Sequence, residues 1–251
     1  MQNRYIGDVG DFGKYALLRA LGDERLKRAI KIAVVWCLYP DESHNDDGRH
    51  ISYLESTDFV ELDIQLVQLL RNAIKSGRRN ISVISTGRAL PTGTVFYDVT
   101  LCPANVRHLS RADRIGHRTM WLEGCLRATR DSDLVFFDPD NGLEVTSVPK
   151  HHLRSGKYMY WDELLPFWKR KQSLLIYHHL NRTKSAPDQV CEMMTAIRMK
   201  FANAIVRSLV FRRGSCRVFW LIRHRSALGR KIERRIDIFL KNGWEAHFRP
   251  F

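Results

Sequence analysis

The 251-residue chain has no apolar run that could cross a bilayer: the longest, residues 30–38 and 133–137, stop well short of the roughly 20 residues a spanning helix needs. No signal-peptide core follows Met1-Gln2-Asn3-Arg4, so a cytoplasmic protein without membrane association is expected. The five cysteines (Cys37, Cys102, Cys125, Cys191 and Cys216) are odd in number and widely scattered, which argues against a disulfide framework or a zinc site and for reduced thiols. Internal repeats and low-complexity segments are also lacking. With 44% hydrophobic and 27% charged residues the composition is that of an ordinary globular chain, long enough to bury a sizeable core, and a single domain over residues 1–251 is expected.

Acidic residues are in short supply. Against 27 Asp and Glu stand 41 Lys and Arg, a formal charge of +14. The basic residues gather in segments 107–130, 150–171 and 198–235, while residues 40–63 are acidic. Such an excess points to a polyanionic partner, nucleic acid (RNA or DNA) above all, although a positive surface also serves solubility.

Periodicity yields alternating elements. A Gly- and Asp-rich opening, residues 5–14, feeds an apolar helix over 15–21; residues 32–38 form a continuous apolar strand ended by Pro40. The spacing predicts helices over 59–75, 117–128, 162–169, 187–201 and 228–241, and strands over 81–85, 134–137 and 173–178. Residues 204–211 and 216–222, separated by Arg212-Arg213-Gly214-Ser215, predict a hairpin. Strands alternating with helices imply an α/β fold, a Rossmann-like three-layer sandwich whose mostly parallel sheet ends in an antiparallel C-terminal hairpin.

Ligand sites in such sheets lie at the carboxyl ends of the strands. Three polar clusters follow strands: Asp41, Glu42, His44, Asn45, Asp46, Asp47 and Arg49; Asp138, Asp140, Asn141 and Glu144; and His178, His179 and Arg182. A fourth, Asp8, Asp11 and Lys14, opens a helix. Sharpest is Asp138-Pro139-Asp140-Asn141-Gly142-Leu143-Glu144: a carboxylate directly after a buried strand, fixed by a proline. Pro, Asp, Asn and Gly are also ordinary turn formers, but a turn does not need two carboxylates and a further glutamate.

The Asp138 segment resembles the Asp-Pro-Pro-Tyr motif of adenine-N6 methyltransferases, with Asp140 and Asn141 in place of the second proline and the aromatic residue. The opening, Tyr5 followed by Gly7-Asp8 and Asp11-Phe12-Gly13-Lys14, is similar to the amino-terminal motif of bacterial 23S rRNA adenine-N6 methyltransferases. Trp36-Cys37-Leu38-Tyr39-Pro40-Asp41-Glu42 stands where that family has its S-adenosylmethionine loop, without a Gly-x-Gly turn. The resemblance spans about a third of the chain. It implies an S-adenosylmethionine-dependent methyltransferase, with Tyr5, Lys14, Asp138, Asp140 and Asn141 at the reacting centre and Asp8, Asp11, Trp36, Asp41 and Glu42 near the cofactor. Glu144, His178, Arg182 and Arg49 would then face the substrate.

Taken at face value, the carboxylates support a second chemistry. Asp41, Glu42, Asp46, Asp138, Asp140 and Glu144 with His178 or His179 could hold Mg²⁺ or Mn²⁺ for phosphodiester cleavage, Asp138, Asp140, Glu144 and His178 foremost, and a cation between acidic clusters and a polyanion relieves their repulsion. A third expectation is a non-catalytic nucleic-acid-binding protein on a methyltransferase-like scaffold. Only one of His178 and His179 can face a site, because successive strand residues point to opposite faces. Tyr158, Tyr160, Trp161 and Trp168, interleaved with Lys157, Lys169, Arg170 and Lys171, could stack bases or form core.

Overall fold

The computed structural model describes residues 1–23, 29–42, 48–103, 105–181 and 183–251. The elements run α1 (Val9–Leu21), β1 (Ile32–Trp36), α2 (Thr57–Leu62), α3 (Ile64–Lys75), α4 (Ser82–Thr86), β2 (Val95–Tyr97), α5 (Arg111–Ala128), β3 (Leu134–Asp138), β4 (Gly142–Leu143), β5 (Tyr158–Met159), α6 (Trp161–Lys169), β6 (Ser173–His179), α7 (Ala186–Lys200), β7 (Ile205–Arg213), β8 (Ser215–Arg223), α8 (Ala227–Lys241) and β9 (Phe248–Pro250). Seven strands form one sheet in the order β2-β1-β3-β6-β8-β7-β9; β4 and β5 make a separate pair.

The sheet is mixed. Parallel pairing joins β2, β1, β3 and β6, whereas β8 is antiparallel to β6 and to β7, and β9 to β7. Five strands therefore point one way and two the other. The β7–β8 hairpin is present, turning at Gly214 with φ of 71°. It does not form the edge that the sequence suggests: β8 is inserted beside β6, and β9 takes the edge.

Continuous apolar strands reflect burial on both faces. Ile32, Val34 and Trp36 belong to one core with Phe12, Leu17, Leu70 and Ile236 of the helices α1, α3 and α8. Ala33, Val35 and Cys37 point into the other, with Trp121, Phe167 and Ile197 of α5, α6 and α7. Helices thus cover both faces of the sheet.

Several elements differ from expectation: α1 starts at Val9, within the expected opening loop, and α5 at Arg111. The predicted strand over 81–85 is the helix α4: Ile81 and Ile84 are both buried, a helical interval, and Asn80 Oδ1 accepts from Ser82 N. Tertiary packing overrides the β-propensity of its Val and Ile. The strand that fills this place in the sheet is the three-residue β2. The helix over 59–75 is two helices, broken at Asp63 (φ −160°, ψ 84°), whose side chain caps α3 through Leu66 N. No described helix is long and apolar enough to cross a membrane.

Candidate functional site at the carboxyl edge of the sheet

β1 lies between β2 on one side and β3 on the other, so the chain reverses its winding direction between the carboxyl ends of β1 and β3. That crevice is where open α/β sheets take ligands. β3 ends on Asp138, and α1 starts at the same edge with Asp8 as its N-cap.

A buried charge network joins them. Lys14 Nζ lies 2.6 Å from Asp138 Oδ2 and 2.8 Å from Asp11 Oδ1, with all three side chains no more than 4% exposed. Burial works against the charge on Lys14, but Asp11, Asp138 and Tyr177 outweigh it and raise its pKa. Burial, opposed by Lys14 and reinforced by Asp138, pushes Asp11 up to about 6. Arg217 of β8 donates to Asp8 Oδ1 (3.0 Å) and to the Tyr177 hydroxyl (3.1 Å). On the far side, Lys157 pairs with Glu42 (2.6 Å) and Asp140 (3.2 Å), and Gln2 donates to both carboxylates. Burial alone would raise Asp140; the Met1 amino group, Lys157 and Gln2 prevail and hold it below the usual carboxylate value.

Above this network opens a cavity of about 620 Å³, within the usual range for small-molecule sites. Asp8, Asp11, Lys14, Asp138, Asp140 and Asn141 line it, with Tyr5 at its wall. The sequence thus anticipated much of the lining. It did not anticipate Tyr177, His50, Ser215 or Arg217, which also line the cavity. Arg217 carried a signal: a lone cation at the start of the apolar run 218–222.

Other expected residues lie elsewhere. Trp36 is fully buried core, its ring stacked 5.1 Å from Phe96. Glu144 accepts from Trp161 N and so anchors the start of α6. Arg49 is exposed and outside the cavity lining, while its neighbours Gly48 and His50 are within it. Asp41 sits at the surface, accepting from Arg4 N. His44, Asn45, Asp46, Asp47 and Arg182 lie outside the described residues.

The two histidines divide as strand alternation requires. His178 turns from the cavity: its Nδ1 accepts from Leu143 N at 3.1 Å, and burial, then His179, lowers its pKa to about 4. The contact is close enough that Gly142 (φ 126°) has no room for a side chain, since a Cβ there would lie 2.5 Å from His178 Nδ1. His179 is the one that lines the cavity, with Nε2 3.0 Å from Ser215 Oγ.

Among the described residues, no three His, Cys, Asp or Glu converge on a point that could hold a metal ion. The carboxylates are matched instead to Lys14, Lys157 and Arg217.

No protein-family model and no curated protein matches the chain. Among solved structures, the crystal structure of protein LPL1258 from Legionella pneumophila strain Philadelphia 1, of family model DUF519, is similar over 98% of this chain and 96% of its own, with 10% identity and a TM-score of 0.47.

Proposed function

We propose that this protein is a nucleic-acid-modifying enzyme on a Rossmann-like, methyltransferase-type scaffold, with its active site in the cavity above Asp138. One observation carries this: the buried Lys14–Asp138 pair lies at the point where the sheet reverses its winding and borders a cavity large enough for a nucleoside. Lys14 engages Asp138 Oδ2 and fixes the carboxylate, which lines the cavity as an acceptor for a donor such as an exocyclic amine. Asn141 is held by its own bond to the Tyr158 hydroxyl, and Tyr5 offers an aromatic surface at the wall. The net charge of +14 supports a nucleic-acid substrate.

Methyl transfer is the reaction the resemblance implies, but the end of β1 does not fit S-adenosylmethionine. A cofactor there needs close approach to backbone. Instead, Met1 N donates to Cys37 O (3.0 Å) and to Asp138 O (3.1 Å), and Met1 and Gln2, both buried, fill the crevice. This filled crevice favours a second reading, a nucleic-acid-binding protein that uses the scaffold without catalysis. The metal-dependent nuclease has less support, because lysine and arginine already supply the cations that carboxylates near a polyanion require.

Calorimetric titration separates the three. Saturable binding of S-adenosylmethionine, lost in Asp138→Asn, supports the enzyme and requires Met1 and Gln2 to move. RNA or DNA binding without it supports the scaffold. Saturable Mn²⁺ binding lost in the same variant, without cofactor binding, would overturn the proposal in favour of the nuclease.

A further inference from the structure

The opposite edge of the sheet carries a different arrangement. There β6 and β7 begin and antiparallel β8 ends, so three connections meet: residues 170–172 between α6 and β6, residues 201–204 between α7 and β7, and residues 224–226 after β8, with the last turns of α6 and α7 beside them. Lys169, Arg170, Lys171, Arg198, Arg225 and Arg230 are all exposed on this edge, in its connections or in the helix turns that adjoin it. None of the six has an ion-pair partner among the described residues, whereas Arg207 and Arg223 beneath them are paired with Asp237 and Glu233 of α8.

The cations are close enough to repel. After burial, the neighbours Arg230, Arg207 and Arg225 lower the pKa of Arg223, and Lys171 likewise lowers His224. In their midst the partly buried Trp168 and His224 rings lie stacked, centroids 3.4 Å apart and planes within 14°, with Trp168 resting on the core beneath. His224 Nε2 is buried without a hydrogen-bond partner. The segment rich in aromatic and basic residues, 157–171, is thus divided between the edges: Lys157 and Tyr158 serve the cavity, and Trp168 to Lys171 face the other way.

We infer that this edge is a second nucleic-acid contact surface, in which Lys169, Lys171, Arg198, Arg225 and Arg230 neutralise successive phosphates beside the Trp168–His224 shelf. Folding gains nothing from cations crowded without counter-charges; a polyanion supplies those charges and releases its own counterions. A partly exposed stacked pair among cations is the combination that single-stranded nucleic acid recognises through its bases and backbone together. The edges are separated by the length of β6, seven residues or roughly 20–25 Å, so one small ligand cannot touch both. A nucleic acid can. The inference deepens the nucleic-acid reading of the cavity without depending on the reaction performed there.

The test uses the full chain with a fluorescein-labelled single-stranded RNA, and the same sequence as single-stranded DNA, titrated by anisotropy over a salt series. For the triple variant Lys171→Glu, Arg225→Glu, Arg230→Glu, affinity at low salt should fall by at least about tenfold, and the log–log salt slope should flatten by about two to three, close to one per cation lost. Circular dichroism melts establish that the variant is folded, and Lys171→Gln, Arg225→Gln, Arg230→Gln replaces it should charge reversal unfold the chain. Unchanged affinity and slope, with RNA binding lost instead in Tyr5→Ala or His179→Ala, would overturn the second surface and leave the cavity reading intact. No RNA or DNA binding by the unaltered protein would overturn both. Loss in the triple variant of binding to phosphatidylserine vesicles alone, with nucleic-acid binding unchanged, would assign the edge to a membrane and overturn the inference.

Discussion

The two edges of the sheet treat charge in opposite ways. At the carboxyl edge, ionic groups are buried and matched: Lys14 to Asp11 and Asp138, Arg217 to Asp8, Lys157 to Glu42 and Asp140. At the other edge, exposed cations stand without ion-pair partners among the described residues. A buried pair is held by the protein that surrounds it, so its loss is felt as stability; an exposed, unmatched cation is solvated, so its loss is felt in what the protein binds. The carboxyl edge resembles a preorganised site, and the opposite edge an electrostatic surface.

The largest test of this contrast is Lys14→Met. It leaves Asp11 and Asp138 buried without their cation, and removal of one partner from a buried network costs about 3–5 kcal/mol. Urea denaturation should show a corresponding fall in midpoint at unchanged slope. Adding Asp138→Asn, which removes one of the stranded charges, should restore part of the loss. A single variant within 1 kcal/mol of the original would mean that the network is hydrated and open, and the matched-charge description of this edge would fail.

The second test uses pH. His178 is neutral in the fold because burial lowers its pKa to about 4, below the usual 6.5. The unfolded chain therefore binds a proton in that window that the folded chain refuses. Stability from this group is complete above pH 6.5 and lost as pH falls to 4, a change of about 2–3 kcal/mol. Asp11 acts with the opposite sign: its pKa is raised to about 6, so the cost of its buried charge is complete above pH 6 and relieved as pH falls toward 3.8. The two offset one another between pH 6 and 4. His178→Gln, which can keep an acceptor for Leu143 N, should remove only the first contribution, so that the variant gains stability relative to the original as pH is lowered from 6.5 to 4. Parallel stability–pH curves would show that His178 is hydrated rather than buried.

Much of this was legible in the chain. The strand–helix alternation, the hairpin at Gly214 and the placing of Asp8, Asp11, Lys14, Asp138, Asp140 and Asn141 at one site follow from apolar runs ending in polar clusters, because parallel strands bring their carboxyl ends to one edge. What stayed hidden depends on long-range packing. Whether His178 or His179 faces the cavity depends on strand register, which the sequence does not display. Glu144 looked like a site residue because it follows two aspartates, yet its carboxylate is used to start α6. The helix α4 has the composition of a strand, and only the burial of Ile81 and Ile84 on one face decides its form. Arg217 is separated from its partner Asp8 by most of the chain.

The smallest expected effect sharpens the contrast most. α8 opens at Ala227 with Ser226 as N-cap, has no acidic residue in its first turn, and carries Arg230 there. A cation near a helix N-terminus opposes the positive end of the helix dipole, and Arg230 also repels Arg223 beneath it. Replacing it with alanine should therefore leave stability unchanged or raise it by about 0.3–0.5 kcal/mol, since alanine also has the higher helix propensity. The same variant should weaken RNA binding by a few fold at low salt and hardly at all at high salt. A side chain that lowers stability and raises affinity is retained for binding, whereas a fall of 1 kcal/mol or more in Arg230→Ala would make it a structural residue and erase the difference between the two edges.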